Sequence, residues 1–372
     1  MTMPNQTASD IPYMQQALDL ARQGEGHVSP NPLVGCVIVN NGTIVGRGFH
    51  QRFGGPHAEV HALRDAGPSA RGAVLYVTLE PCSHTGKTPP CADAVIAAGL
   101  SRVVAAMRDP NPLVAGQGLA RVAAAGIAVT VGVCEEDARK LNEAFIRHIT
   151  TGRPFVTLKS AITLDGKIAT RTGASQWITG EPARQAGHRL RHAMDAILVG
   201  LGTVLHDNPQ LTARLPDQPS VNPLRVIVDS TLQVPLHAHV VDVAPERRTL
   251  IATTARAATE AVAQLQARGV EVVRLPAYDD GRVDLDALCR TLGERGIASL
   301  LVEGGATLSA TLLQRRLVDK VLFFVAPKII GGDGLSAVGS CGIETMAQVI
   351  RLRDITTQRL GDDVVFEAYL AR

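Results

Sequence analysis

The sequence predicts an α/β protein built as two successive α/β layers. Three observations carry that expectation. Short β-branched runs alternate with helical patterns from Leu33 to Val133, which is the signature of a layered α/β domain. The alternation stops at "EEDARKLNEAFIRHITTGRP" and restarts at Phe155. The length of 372 residues suits two domains, each able to bury its own core. We place the boundary near Gly152-Arg153-Pro154, so that residues 1–150 and 151–372 form separate domains.

The elements follow in order. "DIPYMQQALDLARQG" reads as an amphipathic helix that Asp10 can cap. "LVGCVIVNNGTIVGRGFH" is a hairpin, two β-branched runs around Asn41-Gly42. "PHAEVHALRDAG" is a helix with Pro56 at its start and Gly67 at its end. "GAVLYVTLEPC" is a buried strand that runs into a proline turn. "CADAVIAAG" is a short helix, "RVVAAMRD" a strand, "GLARVAAAG" a helix and "IAVTVGV" a strand. In the second half, strands lie at "FVTLKSAIT", "AILVG", "RVIVD", "TLIAT", "VEVVRL", "SLLVEGG", "VLFFVAP" and "VVFEAYL". Helices lie at "EPARQAGHRLRHAM", "AATEAVAQLQARG", "DLDALCRTLGERG" and "TLSATLLQRRL". This order predicts an open twisted sheet with helices on both faces.

Composition excludes several function classes. Residues 1–150 carry 12 basic and 12 acidic side chains, and the remainder carries 25 and 23. Neither half offers the basic surface that tracks a nucleic-acid backbone, so no nucleic-acid partner is expected. No apolar run reaches membrane-spanning length, so no membrane partner is expected either. The six cysteines are scattered and do not form a disulfide framework. With no signal-peptide pattern at the N-terminus, they point to the cytoplasm.

Chemistry concentrates in "GGPHAEVHAL" and "LEPCSHTGKTPPCADA". His57, Cys82 and Cys91 supply one nitrogen and two sulfurs, a donor set that zinc takes. Three protein ligands leave a fourth position for water, whereas a structural site is closed by four. His61 is the candidate fourth ligand, since it stands four residues after His57 on a helix. On an ideal helix Glu59 points away from His57, which makes it a poor ligand and leaves it as a proton carrier. Cys91 opens a helix, where the helix dipole favours a thiolate.

His57-Ala58-Glu59 followed by Pro81-Cys82 resembles the zinc cytidine and nucleobase deaminases, whose signature is H-x-E and then P-C-x-x-C. Eight residues, "SHTGKTPP", separate the cysteines here instead of two. That insert, with "SPNPLVGCVIV" before it and "CADAVIAAG" after it, is similar to one family, the bifunctional riboflavin-biosynthesis proteins that fuse a pyrimidine deaminase to a pyrimidine reductase. The resemblance covers nearly the whole chain. It implies a cytidine-deaminase-like three-layer domain followed by a dihydrofolate-reductase-like doubly wound domain. It implies one Zn²⁺ per chain on His57, Cys82 and Cys91, with Glu59 as the proton carrier of deamination. The implied substrate is a small phosphorylated pyrimidine, 2,5-diamino-6-ribosylamino-4(3H)-pyrimidinone 5′-phosphate. Asn31, His84 and Lys87, with Ser83 and Thr85, would face it. The resemblance also implies a homo-oligomer.

The second half lacks a Walker A loop and the G-x-G-x-x-G fingerprint. It has "SLLVEGGATLSATLL", a β-rich run ending in Glu303, then Gly304-Gly305 and a helix whose free N–H groups can hold a phosphate. "VTLKSAITLDGKIA", "GASQWITG" and "VGLGTVLHDNPQLTAR" resemble blocks of the family's NADPH-dependent reductase domain. Carried over, Ala161, Trp177, Thr203, Asp207 and Ser230 are cofactor contacts, as are Gly305, Ala306, Thr307, Leu308, Ser309, Ala310 and Thr311. Ser175, Arg191, Leu211, Arg214 and Glu303 are substrate contacts, and the two arginines suit a phosphate. Lys159 and Asp165 match the family pattern, but the sequence assigns them no chemical step.

Overall fold

The computed structural model describes residues 8–84, 89–111, 114–217 and 219–371. The chain divides into two compact units, Met1–Gly152 and Arg153–Arg372.

The first unit runs α1 (Ile11–Arg22), β1 (Gly35–Asn40), β2 (Thr43–Phe49), α2 (Ala58–Ala66), β3 (Val74–Val77), α3 (Cys91–Ala97), β4 (Arg102–Ala105), α4 (Gln117–Ala124), β5 (Ala128–Val131), α5 (Glu135–Leu141) and α6 (Glu143–Thr151). Its sheet has the order β2-β1-β3-β4-β5. β1 runs antiparallel to both of its neighbours, and β3, β4 and β5 are mutually parallel. The β1–β2 hairpin turns through Asn41 and Gly42 at φ 48° and 78°. Only asparagine and glycine take that left-handed pair readily. Helices cover both faces of the sheet. α1 seats Met14, Ala17, Leu18 and Ala21 on one face, where Gly35 lets the helix approach. α2 lies on the other face, above Gly46 and Gly48. A Cβ at either glycine would sit 2.3 Å from a backbone carbonyl of α2. These two glycines therefore set the depth at which α2 carries its chemistry.

Asp10 does not cap α1, although it stands at the N-cap. Its carboxylate is drawn across the sheet, where it accepts from the Tyr76 hydroxyl at 2.8 Å and from both Arg102 terminal nitrogens at 3.2 and 2.8 Å.

The second unit runs β6 (Phe155–Thr163), β7 (Lys167–Ala169), α7 (Glu181–Ala193), β8 (Ala196–Gly200), α8 (Leu201–Asp207), β9 (Leu224–Val228), β10 (Thr249–Thr253), α9 (Thr259–Gln266), β11 (Glu271–Arg274), α10 (Leu285–Glu294), β12 (Ser299–Val302), α11 (Ala306–Gln314), β13 (Lys320–Ala326), β14 (Leu335–Ser336), β15 (Leu352–Leu360) and β16 (Asp363–Leu370). The main sheet has the order β11-β10-β9-β8-β12-β6-β13-β16-β15. Its strands are parallel from β11 to β13, and a β15–β16 hairpin closes one edge in antiparallel fashion. β8, β10 and β12 read as unbroken apolar runs because helices cover both of their faces. The sequence pattern missed α5, α6, β7, α8, β14 and β15. β15, "LRDITTQRL", is almost wholly exposed and carries no apolar alternation to announce it.

Candidate active sites

The first site gathers at the start of α2. His57 is the N-cap of α2, with extended backbone (φ −78°, ψ 169°), and Glu59 lies in the first turn. Cys82 follows β3 after the Glu80-Pro81 turn, and Cys91 is the first residue of α3. The His57 Nδ1 atom lies 3.6 Å from the Cys82 sulfur and 3.2 Å from the Cys91 sulfur. The Cys91 backbone N–H donates to the Cys82 sulfur at 3.3 Å. All three ligand atoms fall within 4.8 Å of one another. Donors about 2.0–2.3 Å from one tetrahedral zinc stand about 3.5 Å apart, so this set fits the ion. Among the described residues His61 is not part of the cluster.

Glu59 is not among the three ligand residues, as expected, but the helical wheel is not the reason. His57 precedes the helix in extended conformation, so the rotation of about 100° per helical residue does not apply across it. Both side chains line one cavity of about 380 Å³, together with Cys82, Asn31, His84 and Asp109. Glu59 is 3% exposed, and its Oε2 atom has no hydrogen-bond partner. Burial pushes its pKa up to about 7, against the opposing pull of His57. A hydrogen bond with Cys91 depresses the Cys82 thiol, and the hydrogen bond to Cys82 raises His57.

Three further segments wall this cavity, and the sequence pattern did not single them out. His50 bridges from its Nδ1 to the Pro56 carbonyl at 3.1 Å and from its Nε2 to the Asn31 amide nitrogen at 3.1 Å. Because the carbonyl can only accept, Nδ1 carries the proton and Nε2 accepts from Asn31. The Asn31 oxygen is therefore the atom left for a ligand. Asp109 and Asn111 come from the turn after β4, where the Asp-Pro-Asn run was a readable turn signal. Phe145, His148 and Ile149 come from α6 at i, i+3 and i+4. Asn142 holds α6 there by exchanging hydrogen bonds of 2.8 and 2.9 Å with the Leu33 backbone. Lys87 and Thr85 lie outside the described residues.

In the second unit, Glu303 follows β12, and Gly305 is the N-cap of α11 with no side-chain cap. A Cβ built at Gly305 meets nothing within 4 Å, and the same holds at Gly200 and Gly202. Open backbone beside a free helix N-terminus fits a phosphate-bearing cofactor. A cavity of about 290 Å³ opens here, lined by Gly200, Gly202, Ser230, Thr307, Leu308 and Thr311. Ser309 and Ala310 face inward, and the Ser309 hydroxyl donates back to the Gly305 carbonyl. Ala306 opens the helix. Ala161 is half-buried on β6, and Thr203 and Asp207 ride on α8 without lining this cavity. Trp177 is 63% exposed, with the Arg184 guanidinium 4.8 Å from its ring, so it is not a core residue.

Of the expected substrate contacts, Arg191 meets Glu303. Arg191 donates to both of its carboxylate oxygens, at 2.9 and 2.8 Å, and to the Thr212 carbonyl at 3.2 Å. The Lys159 ammonium stands 3.5 Å from Glu303. Burial would raise the Glu303 pKa, but Arg191 and Lys159 outweigh it and hold the carboxyl well below the usual range. Arg214 is exposed, bonded to the Thr212 hydroxyl at 2.8 Å and facing His188 at 3.3 Å. Leu211 is buried in the core at φ 54°, and Ser175 is half-buried.

Two family models match the chain. The one described as the cytidine and deoxycytidylate deaminase zinc-binding region covers residues 7–107, and the RibD C-terminal domain covers 154–366. The riboflavin biosynthesis protein RibD of Aquifex aeolicus (strain VF5) is 46% identical over 357 residues, spanning 96% of this chain and 97% of its own. That of Escherichia coli (strain K12) is 44% identical over 364 residues, spanning 95% and 97%. The solved structure of Acinetobacter baumannii RibD, form 1, superposes with a TM-score of 0.88 at 39% identity, covering 98% of this chain and 99% of that one. A diaminohydroxyphosphoribosylaminopyrimidine deaminase/5-amino-6-(5-phosphoribosylamino)uracil reductase from Thermotoga maritima gives 0.85 at 38%, with the same coverage.

Proposed function

The chain belongs to the RibD family of riboflavin-biosynthesis proteins, and from that membership we infer how its own residues divide two consecutive reactions. It is a bifunctional enzyme, a zinc-dependent deaminase joined to an NADPH-dependent reductase. Residues 1–150 deaminate the diaminopyrimidine ribotide. Residues 151–372 reduce its ribosyl group to a ribityl chain.

In the first unit His57, Cys82 and Cys91 hold the zinc. Zinc bound there supplies the Lewis acidity that makes water a competent nucleophile near neutral pH. Glu59 would move both protons of that water in turn, one to the ring nitrogen and one to the leaving amine. Its buried carboxylate, whose Oε2 has no hydrogen-bond partner, in the same cavity as two of the ligands carries this reading. Asn31, oriented by His50, offers an acceptor to the substrate, and His84 and Lys87 suit its phosphate.

In the second unit NADPH, when bound, supplies hydride. Gly305 and the first turn of α11 hold its phosphates, and Ser230, Thr307 and Thr311 line its cavity. Ala161, Trp177, Thr203 and Asp207 contact it from β6, from the segment before α7 and from α8. Glu303, Arg191 and Lys159 form a fixed charged cluster beside the substrate. Arg191 spends its fork on Glu303, so the exposed Arg214 is the freer partner for the ribotide phosphate.

No two of the six cysteines are joined in a disulfide, which supports a reducing cytoplasm. Among the described residues no helix is long and apolar enough to cross a membrane. The open edge strand β15, with Leu352 and Ile355 exposed on it and Phe366 exposed on the neighbouring β16, supports self-association of the chain.

The deciding experiment offers the purified full-length protein the diaminopyrimidine ribotide with NADPH, following ammonia release and NADPH oxidation together. Ammonia release before NADPH oxidation is expected. Absence of ammonia release ends the reading.

A further inference from the structure

Asp165 lies in the turn between β6 and β7, away from every cavity wall described above. Its carboxylate nevertheless has three donors. The Thr163 hydroxyl donates at 2.6 Å, the Ile330 N–H at 3.2 Å and the Gly331 N–H at 2.7 Å. Two of these donors belong to the segment after β13. The same segment is fastened a second time, because the Leu164 N–H donates to the Lys328 carbonyl at 2.8 Å. Lys328 then reaches further. Its ammonium donates to the Trp177 carbonyl at 2.8 Å and to the Ile178 carbonyl at 2.7 Å. A chain of contacts thus runs from Asp165, through residues 328–331, to the backbone of Trp177.

We propose that Asp165 is a positioning residue of the reductase, whose carboxylate fixes residues 328–331 so that Lys328 holds Trp177 and Ile178 in place for the cofactor. This rests on the reading of Ala161 and Trp177 as NADPH contacts. The physical case is that the backbone of this exposed tryptophan is held by Lys328. Its ring is 63% exposed and rests on Arg184, which is half-buried and donates to the Thr179 carbonyl at 3.0 Å. An exposed ring binds a cofactor tightly only if its backbone is held beforehand, since otherwise ordering it costs binding free energy. Three hydrogen bonds to a carboxylate fix a turn more firmly than neutral ones. They also keep Asp165 ionised, pulled down to about 2, chiefly by the Thr163 hydroxyl and the Gly331 N–H.

Asp165→Asn tests this in the intact protein. The amide keeps one acceptor but sets an NH₂ group against a backbone N–H donor. Trp177 is the only tryptophan, so its emission reports the segment directly. In wild type, titration with NADP⁺ should change Trp177 emission. In the variant, emission should differ before any cofactor is added, and the NADP⁺ Kd from calorimetry should rise at least about tenfold. The reductase kcat at saturating NADPH should stay within about threefold, because the lost interaction concerns binding rather than the transition state alone. Deamination on the same preparation should be unchanged. Asp165→Glu, which keeps the carboxylate, should recover part of the affinity. An Asp165→Asn protein with wild-type emission and wild-type Kd overturns the proposal. If wild-type emission ignores NADP⁺ while calorimetry shows it bound, the cofactor lies away from Trp177, and the underlying reading falls together with the proposal. Should Asp165→Asn fail to fold, Lys328→Met carries the test. It cuts only the link to Trp177 and Ile178, and a normal Kd in it overturns the proposal.

Discussion

Arg191 grips Glu303 through two parallel hydrogen bonds, Nε to Oε1 at 2.9 Å and Nη2 to Oε2 at 2.8 Å, with Lys159 as a third member of the cluster. The carboxylate, with its side chain 12% exposed, lies between two cations. Glu303→Gln leaves those cations unbalanced and should destabilise the second unit by about 3 kcal/mol at pH 7. The sign of the pH dependence follows from the depressed folded pKa. The stabilisation is complete above the unfolded value of about 4.3 and fades as pH falls through it toward the folded value. The gap between variant and wild type should therefore be constant from about pH 6 to 8 and shrink below about pH 5. Urea unfolding, followed by Trp177 emission, reads the second unit alone. Equal stability at pH 7 would show that solvent already screens the cluster.

Cys82→Ser removes one thiolate from the zinc cluster. The variant should lose its zinc and its deamination while reducing pre-deaminated substrate at the wild-type rate. Metal analysis and both assays on one preparation check this. Full zinc content with normal deamination would move the metal off Cys82.

Glu59→Gln keeps the shape of the side chain and removes the proton carrier. Zinc content should be normal and deamination should fall at least about 10²-fold, the usual contribution of a positioned acid or base. Near-normal turnover would hand the proton role to another group, and His61 would be examined first.

Gly305→Trp should weaken NADPH binding and leave deamination intact. The structure sharpens the reason. A Cβ at Gly305 meets no atom within 4 Å, so the fold itself accepts a side chain there. The side chain then fills the space in front of the α11 N-terminus, where the cofactor's phosphate would lie. Wild-type affinity for NADPH in a folded Gly305→Trp protein would place the cofactor elsewhere.

Much of this molecule was legible in its sequence, because the legible parts are local. Alternating β-branched and helical runs reported strand and helix one segment at a time. Asn41-Gly42 announced its hairpin through backbone conformation alone. The order His57, Glu59, Cys82, Cys91, with its prolines, named a metal-binding set without coordinates. What the sequence left open depends on contacts between distant segments. Asp10 looked like a helix cap until the sheet brought Arg102 and Tyr76 to its carboxylate. Glu59 was set apart from His57 by a helical wheel, yet His57 stands before the helix in extended backbone, so the two share a cavity. Phe145, His148 and Ile149 join that cavity only because Asn142 pairs with the Leu33 backbone. Arg191 looked like a phosphate ligand, and the fold gave its fork to Glu303, 112 residues away. Side-chain type and spacing determined which residues could do chemistry. The tertiary structure decided which of them face one another, because a hydrogen bond or a buried charge depends on distance in space and burial, and sequence periodicity records neither for residues far apart in the chain.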